Sequence, residues 1–346
     1  MRRIVFILII LSIMVLPVMA EDITAPPAPD DAEIYMPSEP QTFSEGILYI
    51  VRKAIVAIEP EVAEAGKLCA SIIAVAILCA ITQQLSDSTR QVSDLVATIL
   101  IAILLILPTN VLINLGRNTI ENLSEYGKLF IPVMTTALAA HGGVSTTAAL
   151  FAATTAFTAL LNSLIANVIV PLLYAYICLS TVTCVLGDES LKRLRDFSKW
   201  LTVWSMKAIM YVYTGYMTIT GVISGTVDAS ALKAAKLAIS SAVPVIGGLL
   251  SDASETVLVG AGIVKNSVGM YGLFVMISLW IGPFLKIGVQ YVLLKISASV
   301  AGIFTSKNIS ELLGDFTGAM GMLLSMISVQ TLLLIVSTVC FMRGVT

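Results

Sequence analysis

The residues with the chemistry to act are few, and they sit in or beside long apolar runs. His141 is the one histidine in 346 residues. It stands four before Ser145, a spacing that puts two side chains on one helix face and that a serine hydrolase would use for base and nucleophile. Gly142 and Gly143 lie between them and spoil the helical spacing, and no nucleophile elbow is present. His141 therefore reads as a polar cap on a broken helix. Asp252 and Glu255 follow a second glycine pair, Gly247 and Gly248. Ionisable groups in or beside a membrane segment are candidates for an ion or substrate pathway. The same two acids also suit the N-terminus of a helix beginning near Ser254. Lys265, Asn266 and Lys295 fall inside apolar stretches, so each needs a partner, a cavity or an interface. The five cysteines lie in or beside apolar runs with no CxxC pair, which favours packing over disulfide or metal chemistry. No metal, phosphate-loop or redox motif stands out, and no cofactor is expected.

The elements that must position these groups are membrane helices. The chain is 57% hydrophobic and 12% charged, with a mean hydropathy of +0.95, whereas soluble domains carry about 25% charge. The net charge of −2 offers no basic surface for nucleic acid. Residues 129–187 contain no Asp, Glu, Lys or Arg. One crossing takes about 20 apolar residues, so this stretch is too long for a single pass. Pro132 and the run His141-Gly142-Gly143 interrupt it. The pattern predicts a short helix over 129–140, a glycine break, then spans over 144–166 and 168–186. Irregular backbone at membrane depth is tolerated only where protein or a water-filled cavity satisfies it, so the break is either a working part of a pathway or a packed bend.

Read from the start, residues 1–20 have the basic, apolar and small-residue pattern of a signal peptide. Residues 21–45 are acidic and proline-rich and predict a disordered linker. Residues 46–66 are amphipathic, suiting a membrane surface, a partner or the chain's own bundle. Residues 67–94 hold a first span, 68–82, and a polar loop from Gln83. A second span over 95–116 carries Pro108 as a kink. The loop 188–199 holds Lys192, Arg193, Arg195 and Lys199, the densest basic loop, and the positive-inside rule places it in the cytoplasm. Spans follow over 200–227, 256–285, 287–305 and 319–342. The fold expected is an all-α polytopic membrane protein with about eight transmembrane helices and two broken or re-entrant elements.

The two breaks look like copies. Ile131-Pro132-Val133 recurs as Val243-Pro244-Val245, and Pro171 recurs as Pro283; the differences 244 − 132 and 283 − 171 both equal 112. Each IPV-like element leads to a glycine pair. Polar segments follow each second span, Leu194-Arg195-Asp196-Phe197-Ser198 and Leu313-Gly314-Asp315-Phe316-Thr317. Two membrane repeats, 95–199 and 200–318, account for this, with residues 319–346 as a last helix and tail. Transporters place broken helices at corresponding positions of two halves, so Pro132, His141, Gly142, Gly143, Pro244, Gly247, Gly248, Asp252, Glu255, Lys265 and Asn266 form the candidate pathway or gate. The halves are parallel if 129–140 crosses and inverted if it only dips in.

Three runs carry a family resemblance: Ala242-Val243-Pro244-Val245-Ile246-Gly247-Gly248, Ser251-Asp252-Ala253-Ser254-Glu255-Thr256-Val257, and Val264-Lys265-Asn266-Ser267-Val268-Gly269. With Ala139-Ala140-His141-Gly142-Gly143-Val144-Ser145, they resemble the stage III sporulation protein AE family (SpoIIIAE). The resemblance implies a non-enzymatic, multi-pass component of the SpoIIIA–SpoIIQ complex, which links mother cell and forespore and is needed for late forespore gene expression. It further implies the mother-cell membrane around the forespore as location and other SpoIIIA subunits and SpoIIQ as partners. A YidC/Oxa1-type insertase is a fitting assembly helper, because lysine- and glycine-bearing spans insert poorly. Within this frame the chain is either a platform for ring-forming subunits or a conduit; outside it, the competing reading is a small-molecule permease.

Overall fold

The computed structural model describes residues 25–38, 42–85, 87–140, 144–219 and 267–343. Every element among them is helical. In chain order these are α1 (Asp30–Glu33), α2 (Phe43–Ala57), α3 (Glu59–Leu85), α4 (Asp87–Ala140), α5 (Val144–Leu164), α6 (Val170–Leu186), α7 (Glu189–Ile219), α8 (Ser267–Phe304) and α9 (Lys307–Arg343), with a π-helical turn, Ile165–Ile169, joining α5 to α6. An apolar chain without water to bond its backbone closes each peptide group inside its own helix, and the uncharged runs do so here. Five helical stretches among the described residues are long and apolar enough to cross a membrane: Glu59–Gln83, Val92–Thr136, Phe151–Leu186, Val268–Phe304 and Lys307–Met342.

Several boundaries depart from the sequence expectation. Pro132 does not start a separate short helix. It lies inside α4, which runs unbroken for 54 residues and also contains Pro108. A proline removes one N–H and crowds the carbonyl four residues back, a local cost that the helix's remaining bonds and its packed neighbours outweigh. The spans expected over 144–166 and 168–186 are one continuous helical run. Its π turn has a local cause: Pro171 cannot donate to Asn167, and the chain widens so that Val170 N–H bonds to Ile165 O. Lys286 likewise does not divide two spans, because α8 continues through it and through Pro283. The polar loop expected from Gln83 shrinks to a tight hairpin between α3 and α4. Across it Gln83 Nε2 donates to Asp94 Oδ1 at 2.5 Å and Thr82 Oγ1 pairs with Ser93 Oγ at 2.5 Å.

The helices alternate in direction. Asn162 donates to Ser124, and Tyr174 Oη to Asn110 Oδ1 at 2.7 Å, so α5–α6 runs back along α4. Arg195 Nη1 donates to Asp315 Oδ2 at 2.7 Å, while Tyr213 Oη meets Ser337 Oγ at 2.5 Å. Helix α7 therefore runs with α9. On the other flank α8 runs with α3, from Lys286 beside Glu61 to Ser297 beside Cys69. The end of α3, the start of α4 and the turns at 187–188 and 305–306 thus gather at one end. Gly187 closes α6 there with a left-handed φ of 70°. The opposite end holds α1, α2, the start of α3 and the start of α8.

Helix α9 lies at the centre, packed against α4, α5, α6, α7 and α8. From 319 to 342 all of its residues but Leu332 are buried. Its hydroxyls bond inward to their own helix, as Ser325 does to Gly321 O at 2.9 Å and Thr331 to Ile327 O at 2.8 Å. Neither amide atom of the fully buried Gln330 has a partner among the described residues. The acidic segment expected as a disordered linker over 21–45 is folded where it is described, over 25–38 and at 42–45, where Thr42 caps α2. Ala28 N donates to Tyr271 Oη at 3.0 Å and Asn122 Nδ2 to Asp31 Oδ2 at 2.8 Å, so α4 and α8 hold it in place.

Candidate functional site

Two clusters of charge are built into the bundle, one at mid-length of α8 and one where the turns gather. The first joins α3 to α8. Lys286 Nζ lies 2.5 Å from Glu61 Oε1, with side chains 34% and 29% exposed. On one side of the pair is a cavity of about 300 Å³ that also touches Asp31, Tyr35, Asn118, Asn122 and Ser278. Gly282 makes room there, since a Cβ at that position would sit 2.9 Å from Tyr35 Oη. Burial first, and the Glu61 carboxylate second, push the Tyr35 phenol above its ordinary value, with Lys286 opposing. The cavity wall keeps unspent hydrogen-bonding capacity. Ser278 Oγ is buried without a partner among the described residues, and Pro283 has no N–H to give the Leu279 carbonyl. On the other side of the pair is a cleft of about 410 Å³ between α3, α4 and α8.

The second cluster locks the end where the turns gather. Arg195, 7% exposed, places Nη1 2.7 Å from Asp315 Oδ2 and Nη2 2.9 Å from Asp196 Oδ1. Tyr176 Oη donates to the other oxygen of Asp315. Lys192 Nζ stands 3.2 Å from Glu311, and Lys307 Nζ 3.7 Å from the same carboxylate. A buried guanidinium is tolerated only when its charge and its donors are matched, and two carboxylates do that here. The cluster ties α6, α7 and α9 together. On the outer face of α7 the rings of Phe197, Trp200 and Trp204 stack in sequence, each more than half exposed.

Of the candidate pathway residues, Pro132 alone is described, and it faces outward from α4. His141, Gly142, Gly143, Pro244, Gly247, Gly248, Asp252, Glu255, Lys265 and Asn266 lie outside the described residues, as does the expected signal peptide. Sequence reasoning missed the Lys286–Glu61 and Arg195–Asp315 pairs. Signals for both were in view. Lys286 interrupts a neutral run, and Arg195 and Asp315 belong to the two polar segments matched as parts of a duplication. The structure packs those segments against each other.

A family model for stage III sporulation protein AE matches residues 39–344. The chain belongs to the stage III sporulation protein AE family. Among curated proteins it is similar to the stage III sporulation protein AE of Bacillus subtilis (strain 168), with 27% identity over 248 residues. That match covers 69% of this chain and 61% of the relative, so the chain spans about three fifths of the length of the curated protein it matches. No solved structure matches it. The family assignment gives this member a role in sporulation, and its apolar helices associate it with a membrane.

Proposed function

We propose that this family member is a non-enzymatic membrane subunit of the mother cell–forespore channel complex formed by SpoIIIA proteins and SpoIIQ. Its place is the mother-cell membrane around the forespore, where the complex sustains late forespore gene expression. The observation that carries the reading is the family match over nearly the whole chain. Two features of the bundle support it. The central α9 is enclosed by protein along its apolar length, which gives a rigid membrane body. The end opposite the turns presents two folded segments, the acidic α1 and the amphipathic α2 with Leu48, Ile55 and Val56 exposed, that can meet other subunits. Within this proposal the glycine breaks around Gly143 and Gly248, with His141, Asp252, Glu255, Lys265 and Asn266, remain the proposed gate. A YidC/Oxa1-type insertase assists membrane assembly.

Affinity purification of the tagged full chain from sporulating cells tests the proposal. The expected result is co-purification of the other SpoIIIA subunits and SpoIIQ at the time engulfment ends. Recovery of the chain intact but without them would contradict it and leave a self-sufficient permease.

A further inference from the structure

The cleft beside Lys286 has two unlike walls. Glu61, Glu64, Lys286 and Gln290 line one part, and Leu107 and Val111 belong to the other. The two apolar residues are 72% and 59% exposed and continue the outer face of α4, which is uncharged over 95–116 and apolar at Leu95, Val96, Ile99, Leu100, Ile103 and Ile106. On α3 the cleft lies where the helix changes character, and on α4 it lies about a turn and a half short of such a change. In α3 the charges end at Lys67 and 68–82 are uncharged; in α4 the uncharged run ends at Gly116 and Arg117 follows. In a membrane helix that change marks the level of the lipid headgroups.

We infer that this cleft binds a phospholipid with an ammonium-bearing zwitterionic headgroup, of the ethanolamine type. The inference rests on these helices lying in a membrane and not on the proposed complex. Two carboxylates and one ammonium give the rim a net charge of −1, which disfavours an anionic headgroup. The lipid ammonium, with three N–H donors, meets Glu61 and Glu64. Its phosphate faces Lys286, which is positioned by Glu61. The acyl chains leave over Leu107 and Val111 along α4. A choline headgroup has the same charge but no N–H to donate, so it is the weaker ligand. A small soluble zwitterion would have no use for the exposed apolar wall.

The test uses the full chain purified in lipid-poor detergent, with equal mole fractions of phosphatidylethanolamine, phosphatidylcholine and phosphatidylglycerol added, and bound lipid read by native mass spectrometry. The expected result is retention of phosphatidylethanolamine above the other two. Glu64→Gln and Lys286→Gln should each lower its occupancy by about tenfold, the size of one charge-assisted hydrogen bond. Glu121→Gln, an exposed site away from the cleft, should leave it unchanged. Glu64 is exposed, so its variant reads out even if Lys286→Gln does not fold. Equal retention of the three lipids, or unchanged occupancy in Glu64→Gln, would overturn the inference. Displacement of the lipid by free phosphoethanolamine at matched concentration would reassign the cleft to a soluble solute and overturn it as well.

Discussion

At the scale of residues, Arg195 and Asp315 show how a charge near a helix start becomes part of a core. Their neighbours Lys192, Lys199 and Lys307 can reach water, but the guanidinium is 7% exposed and the carboxylate 13%. Such a pair adds little when intact, because both ions lose their hydration, yet removing one partner strands the other. Asp315→Ala should therefore destabilise the folded chain by about 3–5 kcal/mol, measured as a fall in thermal unfolding midpoint in detergent. Adding Arg195→Ala to it should cost less than the two single changes summed; additive losses would show that the ions do not act as a pair. The sequence revealed both charges but not their meeting. They are 120 positions apart, and hydrophobic periodicity says nothing about which polar ends face each other. The same holds for Glu61 and Lys286.

Elements were far more legible. Uncharged apolar runs predict helices, and helices form there, because in an apolar solvent the backbone has few other ways to bond. The last span expected over 319–342 falls within α9, and the amphipathic stretch before the first span is α2 and the start of α3. Breaks were harder to read. Pro108, Pro132, Pro171 and Pro283 all sit inside helical runs; only Pro171 changes the helix type, through the π turn just before it. Proline signals a missing hydrogen bond, and whether the helix then ends depends on packing that the local sequence does not contain. Packing of α4 on α8 depends on a glycine. A Cβ at Gly272 would collide with the Phe130 ring, which is itself fully buried. Gly272→Ala should cost about 1–3 kcal/mol by overpacking. Phe130→Leu in the same chain should recover part of that loss, as seen in urea or thermal unfolding. No recovery would place the strain elsewhere.

At the scale of the whole molecule, alternating helices put the described turns at 187–188 and 305–306 at one end and the folded acidic segment at the other. The basic segment expected as a loop over 188–199 is helical from Glu189, as the start of α7, and lies at the end with the turns, opposite the N-terminal segment. The two hairpins α6–α7 and α8–α9 also turn at that same end, so the polar segments around Arg195 and Asp315 meet as neighbours. Of the expected gate, the sequence named both glycine breaks, and all but Pro132 fall outside the described residues. What the structure adds is a site that sequence patterning did not single out, the Lys286–Glu61 pair between two cavities.

The sporulation role is open to one direct measurement. Cells of the spore-forming host lacking this chain should be followed by membrane staining together with a reporter of late forespore transcription. Engulfment should finish normally while the late reporter stays silent, and the intact chain supplied in the mother cell should restore it. Normal late expression and normal spore yield without the chain would contradict the role proposed for it as a subunit of the mother cell–forespore channel complex.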